Sequence, residues 1–368
     1  MTSKERENFL RNAILVVDHS KAVLVSLVEL DVQNKGQTFD QLVTKNQHEI
    51  YHLYNSSWCC QCPPGHRPPR SPRILHQSQM ELLFDRSSLK LPCHNTGRRS
   101  DDFCCSMARS GLCTDVLDLT LARCLLVNFC NDVFWFSCLQ LQSITLEDFL
   151  NHNKHDIYHL WKYNSPCCQC SPGYTFPSNY SMLDQNDWMK MFNALLLSCT
   201  NHRKRPSPGG MHSICSVAAA PGITLMNLDP SVRKIILQHC STLRMDVETL
   251  VQIRNQDYGH AKEGIMSDND YNTSVVKIER CILDIAKVCN KETKFKQKLR
   301  EAKHGALDQT LFTQYQNNLM ETLTRQTDIS QSVADLPKLM NEYFKKGYEY
   351  NEQLMKRFNQ TLIKVKSR

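Results

Sequence analysis

One passage occurs twice in the chain. Thr38 to Leu53 reads TFDQLVTKNQHEIYHL, and Thr145 to Leu160 reads TLEDFLNHNKHDIYHL. Each runs on into a cysteine cluster, CCQCPPG from Cys59 and CCQCSPG from Cys167. The copies stand 107 residues apart at their threonines and 108 at their cysteines, so a single residue separates their spacings. A repeated unit must be a structure the chain can build twice, and a chain of 368 residues has room for two or three such units. Glycine and proline are few, 12 and 14, while Leu, Gln, Lys and Glu are frequent in long stretches, which favours helix over sheet.

Between the copies, Pro63 to about Gly111 opens with a proline-rich run that suits neither helix nor central strand, since proline fixes φ and removes a donor. Its apolar residues keep no clean period. The expectation is a disordered linker over 66–110, with an irregular or aberrantly spliced insertion as the alternative. Leu119 to Leu141 is apolar enough to resemble a membrane span, but Arg123, Asn128, Asn131 and Asp132 interrupt it. Such groups are costly in lipid, and a buried helix with no membrane contact is expected instead.

Helical signals strengthen after the second cluster. Asp187 to Leu197 is a short amphipathic run, and His202 to Ala220 reads as a loop. Asp229-Pro230 is a helix start, with Asp as N-cap and Pro in the first turn. Apolar residues then recur at helical spacing from Val232 through Ile236, His239, Leu243 and Val247 to Leu250. Ser267 to Asp270 caps a further helix whose stripe runs from Tyr271 to Val288. The tail, 291–368, carries stripes from Phe295 to Leu323 and from Leu336 to Val365, split at Asp335-Leu336-Pro337, and reads as a helical hairpin.

The formal charge of +7 is too mild to establish nucleic-acid binding. Arg67, Arg70, Arg73, Arg98, Arg99, the run His202 to Arg205 and the basic end Lys356 to Arg368 fit phosphate contacts or plain solvation equally well. Met1 to Leu10 is polar and Ala13 to Val17 is too short for a leader core, so a cytoplasmic setting is expected. There the 18 cysteines serve as metal ligands or buried thiols rather than disulfides. His48 and His52 lie one turn apart on one helix face, with the C-x2-C pair Cys59 and Cys62 close behind. His155, His159, Cys167 and Cys170 repeat the arrangement. Two His and two Cys make an adequate tetrahedral zinc set, closed by protein on all sides and therefore structural, with Cys60 and Cys168 left over. The competing reading is a packed helical face with buried thiols. No cofactor is needed for chemistry, and no phosphate loop, nucleophile elbow or kinase signature occurs.

The segment Ile253 to His260, IRNQDYGH, extends the stripe Leu243, Val247, Leu250 to Arg254. A helix that keeps its period aims this cation at the packed face, where it needs a partner or a purpose. Gly259 permits an unusual backbone just before His260. Arginine, asparagine and imidazole together suit cleavage of RNA without a metal: Arg254 on the phosphate, Asn255 orienting, His260 moving protons. The motif resembles the hallmark of the HEPN superfamily: Arg, a polar neighbour, and His after a short interval. RNQDYGHA is most similar to the version in DAZ-interacting zinc-finger ubiquitin-ligase-like animal proteins. The resemblance spans roughly 111–290, with a truncated copy at 1–65. It implies a mainly α protein built on an up-and-down helical bundle with a partial N-terminal duplicate and a C-terminal hairpin. It also implies a homodimer with Arg and His at the seam. Active members cleave RNA without metal; others are non-catalytic scaffolds or sensors that bind protein or RNA, which implies a role in stress or innate-immune response. The first copy ends before any Arg…His segment, and no RING-type array follows residue 290, so ubiquitin-ligase activity is not expected. The scaffold is the leading expectation and the endoribonuclease its alternative.

Overall fold

The computed structural model describes residues 3–63, 74–86, 90–91, 94, 102–171, 173–176, 180–194, 214–261, 264–305, 307, 313–315, 317 and 320. Among these residues helices dominate, and the one sheet has two strands. The N-terminal repeat comprises α1 (Ser3–Ala13), α2 (Ser20–Asn34), α3 (Phe39–Lys45), α4 (Gln47–Tyr54) and α5 (Gln77–Leu83), with a π-helical turn, Ile14–His19, joining the first two. The second half continues with α6 (Leu119–Phe129), α7 (Asn131–Trp135), α8 (Leu146–His152), α9 (Lys154–Trp161) and α10 (Gln185–Met191). Strand β1 (Phe192–Ala194) then pairs antiparallel with β2 (Val217–Ala219), Phe192 opposite Ala219. Last come α11 (Pro230–Cys240), α12 (Thr242–Ala261), α13 (Asp268–Val288) and α14 (Glu292–His304).

Four of these helices close a ring: α2 packs on α6 and α13, and α12 packs on the same two. Val23, Leu24, Leu27 and Val28 of α2 are wholly buried, as are Leu121, Leu125 and Leu126 of α6 and Ile278, Ile282 and Ile285 of α13. Each such side chain contributes about 1.5–3 kcal/mol by leaving water. Residues 111–290 therefore do not build the bundle alone, because the first repeat supplies α2. One continuous apolar core runs from Leu15 to Ala302 through both repeats.

The repeat is also longer than its identical residues indicate. The N–H groups of Ile74 and Leu75 both donate to the Leu53 carbonyl, at 2.8 and 3.1 Å, and those of Met182 and Leu183 both donate to Leu160, again at 2.8 and 3.1 Å. Helices α5 and α10 each open with a capping box, His76 with Gln79 and Asp184 with Asp187. Arg109 N–H donates to Leu83 and Ala220 N–H to Met191. Ala108 N–H donates to Thr44 Oγ1 and Ala219 N–H to Asn151 Oδ1, and Phe84 bridges Ala108 as Phe192 pairs with Ala219. The stretch 66–110, expected to be a disordered linker, thus contains α5, with Leu75, Met80, Leu83 and Phe84 in the core; its proline-rich part lies outside the described residues.

Other expectations meet the structure in detail. Leu119 to Leu141 is buried but not straight: α6 and the segment Asn131–Gln140 meet at a bend of 76°. No single helix among the described residues is long and apolar enough to cross a membrane. Arg123 forms a bidentate pair with Glu248 at 2.8–3.0 Å, so the charge is matched against α12. Pro230 opens α11, but the stripe expected to run on to Leu250 is divided at Ser241, whose extended backbone ends α11 before Thr242 begins α12. Ser267 caps α13 by accepting from Asp270 N–H. The run from Asp187 ends as a strand, because β2 offers Phe192 to Ala194 a pairing partner. Of the expected C-terminal hairpin, α14 is present and packs on α13; the stripe Leu336 to Val365 lies outside the described residues.

Candidate metal centres

Helix α4 presents His48 and His52 one turn apart, their rings 4.7 Å between centroids and nearly perpendicular. The helix stops at Asn55, whose extended backbone turns the chain back toward the same face. Cys59 to Cys62 then form a tight knuckle: Cys62 N–H donates to the Cys59 carbonyl at 3.2 Å, and Cys59 N–H donates to Cys62 Sγ at 3.4 Å. Cys62 Sγ lies 3.6 Å from His48 Nε2, 3.2 Å from His52 Nε2 and 3.5 Å from Cys59 Sγ.

Helix α9 repeats this arrangement. The rings of His155 and His159 are 4.8 Å apart, and Cys167 N–H donates to Cys170 Sγ at 3.2 Å. Cys170 Sγ lies 3.6 Å from His155 Nε2, 3.1 Å from His159 Nε2 and 3.7 Å from Cys167 Sγ. In each tetrad the four ligand atoms lie within 4.8 Å of one another. A tetrahedral zinc ion, with bonds of about 2.3 Å to sulfur and about 2.0–2.1 Å to nitrogen, sets S–S edges of about 3.8 Å and S–N edges of about 3.6 Å. The His48 and His155 contacts match the S–N edge, the His52 and His159 contacts at 3.2 and 3.1 Å fall inside it, and the sulfur pairs are far longer than a disulfide of about 2.05 Å. These two groups could each hold a metal ion.

The surroundings favour the neutral imidazole that a metal needs. His52 Nδ1 stands 3.2 Å from the Asn55 carbonyl, which can only accept, so Nδ1 carries the proton and Nε2 is left for the ion. The second tetrad is the deeper. His159 is 0 % exposed, and Tyr174 and Phe176 pack on its ring at 4.9 and 5.1 Å. Tyr174 also covers His155 and donates its hydroxyl to Asp156 at 3.1 Å. Burial, with His155 beside it, lowers His159 to about 4, so its imidazole is neutral at ordinary pH. Burial likewise raises Cys59 and Cys167 to about 12, so loading a metal must release their thiol protons. An ion held by all four side chains would have no coordination position left for substrate or water, the arrangement of a structural site. Cys60 and Cys168 turn out of the tetrads: Cys60 Sγ lies 3.7 Å from Cys104 Sγ, and Cys168 Sγ 3.2 Å from Cys215 Sγ.

The Arg-Asn…His segment lies on α12. Arg254 is buried, as its position on the stripe requires, and Nη1 donates to Thr120 Oγ1 of α6 at 2.6 Å. Its Nε and Nη2 donate to Asn255 Oδ1 at 3.3 and 3.0 Å. Arg254 and Asn255 are thus brought together. Helix α12 runs on through Gly259 to Ala261, without the break that the glycine would allow. Six positions of unbroken helix turn by about 240° and rise about 9 Å, so 254 and 260 lie on different sides of the helix. The side chain of His260, like the arginines expected to contact phosphate at 67, 70, 73, 98, 99, 203 and 205 and the basic end from Lys356, lies outside the described residues. Compared with family models, with curated proteins and with solved structures, the chain matches none.

Proposed function

We propose that this chain is a HEPN-type helical scaffold, stapled by structural zinc, that engages a protein or RNA partner and does no chemistry of its own. The observation that carries the reading is the closure of both His2Cys2 tetrads, at the end of the helix each repeat shares. Closed centres stiffen a surface without offering a reactive position. Arg254 supports the same reading. Its guanidinium is engaged by Thr120 and Asn255 between α6 and α12, as suits a strut within the bundle. The proposal carries with it a cytoplasmic setting, from the thiol-rich composition, and a homodimer, from the resemblance.

The test compares the untagged chain with Arg254→Ala and His260→Ala on single-stranded RNA, in buffer without added divalent metal. No cleavage by any of the three is expected. Cleavage by the parent that both variants lose would replace the scaffold with a metal-independent endoribonuclease using Arg254 and His260.

A further inference from the structure

We propose that Cys60, His94, Cys104 and Cys105 hold a further metal ion of the zinc class, which ties the chain after the proline-rich stretch to the knuckle of the first tetrad. The inference goes beyond the two tetrads and stands on its own geometry. Cys60 Sγ lies 3.7 Å from Cys104 Sγ, Cys104 Sγ 3.7 Å from Cys105 Sγ, and His94 Nδ1 3.7 Å from Cys60 Sγ. All four ligand atoms lie within 4.8 Å of one another. These separations match the edges of about 3.6–3.8 Å that a tetrahedral ion imposes. They exceed any disulfide, whose sulfurs stand about 2.05 Å apart.

Three features of the backbone support the site. Cys104 and Cys105 are neighbours in a turn, and bringing both sulfurs to one point calls for an unusual backbone. Cys105 supplies it with φ of 58°, in the left-handed region that a side chain other than glycine rarely adopts. Cys60 N–H donates to Cys104 Sγ at 3.3 Å, as the knuckle amides do in both tetrads, and such donors suit a thiolate. Lys90 holds the loop from the other side, its ammonium donating to the Asp102 carbonyl and to Ser106 Oγ. Cys104 and Cys105 are fully buried, and the His94 imidazole, a polar group, reaches the same cluster through Cys60.

The segment Cys59 to Cys62 thereby serves two ions, Cys59 and Cys62 one and Cys60 the other. Binding forms three S–metal bonds and one N–metal bond, and the three thiol protons pass to solvent. Cys215 stands four residues before Ala219 as Cys104 stands four before Ala108, so the C-terminal repeat keeps part of the set in Cys168 and Cys215.

The experiment counts metal in the untagged full chain by plasma mass spectrometry, for the parent, Cys104→Ser, Cys60→Ser and Cys170→Ser. Cys104→Ser and Cys60→Ser are each expected to lose one equivalent, as Cys170→Ser does from its own tetrad. Parent-level metal in Cys60→Ser overturns the site while leaving the tetrads standing. Metal lost from Cys60→Ser but not from Cys170→Ser overturns the second tetrad and leaves this site standing. Because Cys104→Ser disturbs a buried position, the parent is also alkylated natively and mapped by mass. Cys60, Cys104 and Cys105 are expected to be protected until a chelator is added. Alkylation without chelator, or a disulfide among the three, overturns the proposal.

Discussion

Cys170→Ser separates a metal centre from a packed helical face. Cys170 Sγ is the corner shared by three edges of its tetrad, to His159 at 3.1 Å, His155 at 3.6 Å and Cys167 at 3.7 Å. Serine keeps the shape, but its hydroxyl is a hard, weak donor to zinc, so one equivalent of metal should leave. An ion that binds only the folded state adds about 4 kcal/mol when its free concentration is a thousand times its dissociation constant. At about 2.1 cal/mol/K of unfolding entropy per residue, each kcal/mol moves the melting midpoint of a 368-residue chain by about 1.3 °C, so a fall of about 5 °C is expected. Cys168→Ala is the matched control. It too removes a buried sulfur, one that faces Cys215 at 3.2 Å, and it should keep all the metal of the tetrad. The assay is metal content together with thermal melting, with and without a strong chelator. Parent-level metal in Cys170→Ser, or a parent midpoint unmoved by the chelator, would refute the reasoning.

Two further outcomes follow from the packing. Phe84→Ala removes a ring that is 1 % exposed from the stretch expected to be linker, and should cost about 3–5 kcal/mol in a denaturant titration; a loss below about 1 kcal/mol would detach that stretch from the core. Burial lowers His239, with Arg244 adding to the effect, and lowers His19, with Lys298 adding to it. Their folded-state values lie below the ordinary 6.5, so the unfolded chain takes up protons first. The stability they give is complete above about pH 6.5 and is lost as the pH falls below it. His19→Gln with His239→Gln should flatten that loss at constant metal content, and parallel stability curves for parent and variant would remove these two histidines from the account.

The tetrads were legible because all their ligands sit on a helix and a knuckle that are close in sequence, with a spacing that repeats. The remainder of the repeat was hidden. LHQSQMELLFD from Leu75 and LDQNDWMKMFN from Leu183 share few identities, although both build a capped helix on the same carbonyl pair. What persists is the position of the cap and of Leu83, Phe84, Met191 and Phe192 in the core, and a proline-rich preface obscured the first of these. The Cys104-Cys105 pair gave no signal because its partners, Cys60 and His94, are brought to it only by tertiary folding. Helix α2 was unreadable for the opposite reason: packed on α6 and on α13, it is apolar around much of its circumference and keeps no amphipathic period. Gly259 suggested a break that the surrounding helix overrode. Pro230 and Ser267 were read correctly, since a cap depends on neighbours in sequence.

The loan of α2 from the first repeat to the ring makes the two halves mutual hostages. A fragment beginning near residue 111 would leave the flanks of α6 and α13 bare where Leu24, Leu27 and Val28 now lie. In the intact chain it is the helix at residues 20–34 that covers those flanks. The duplication thus cannot be undone by cutting the chain between its copies, because what was copied in series has been assembled in parallel.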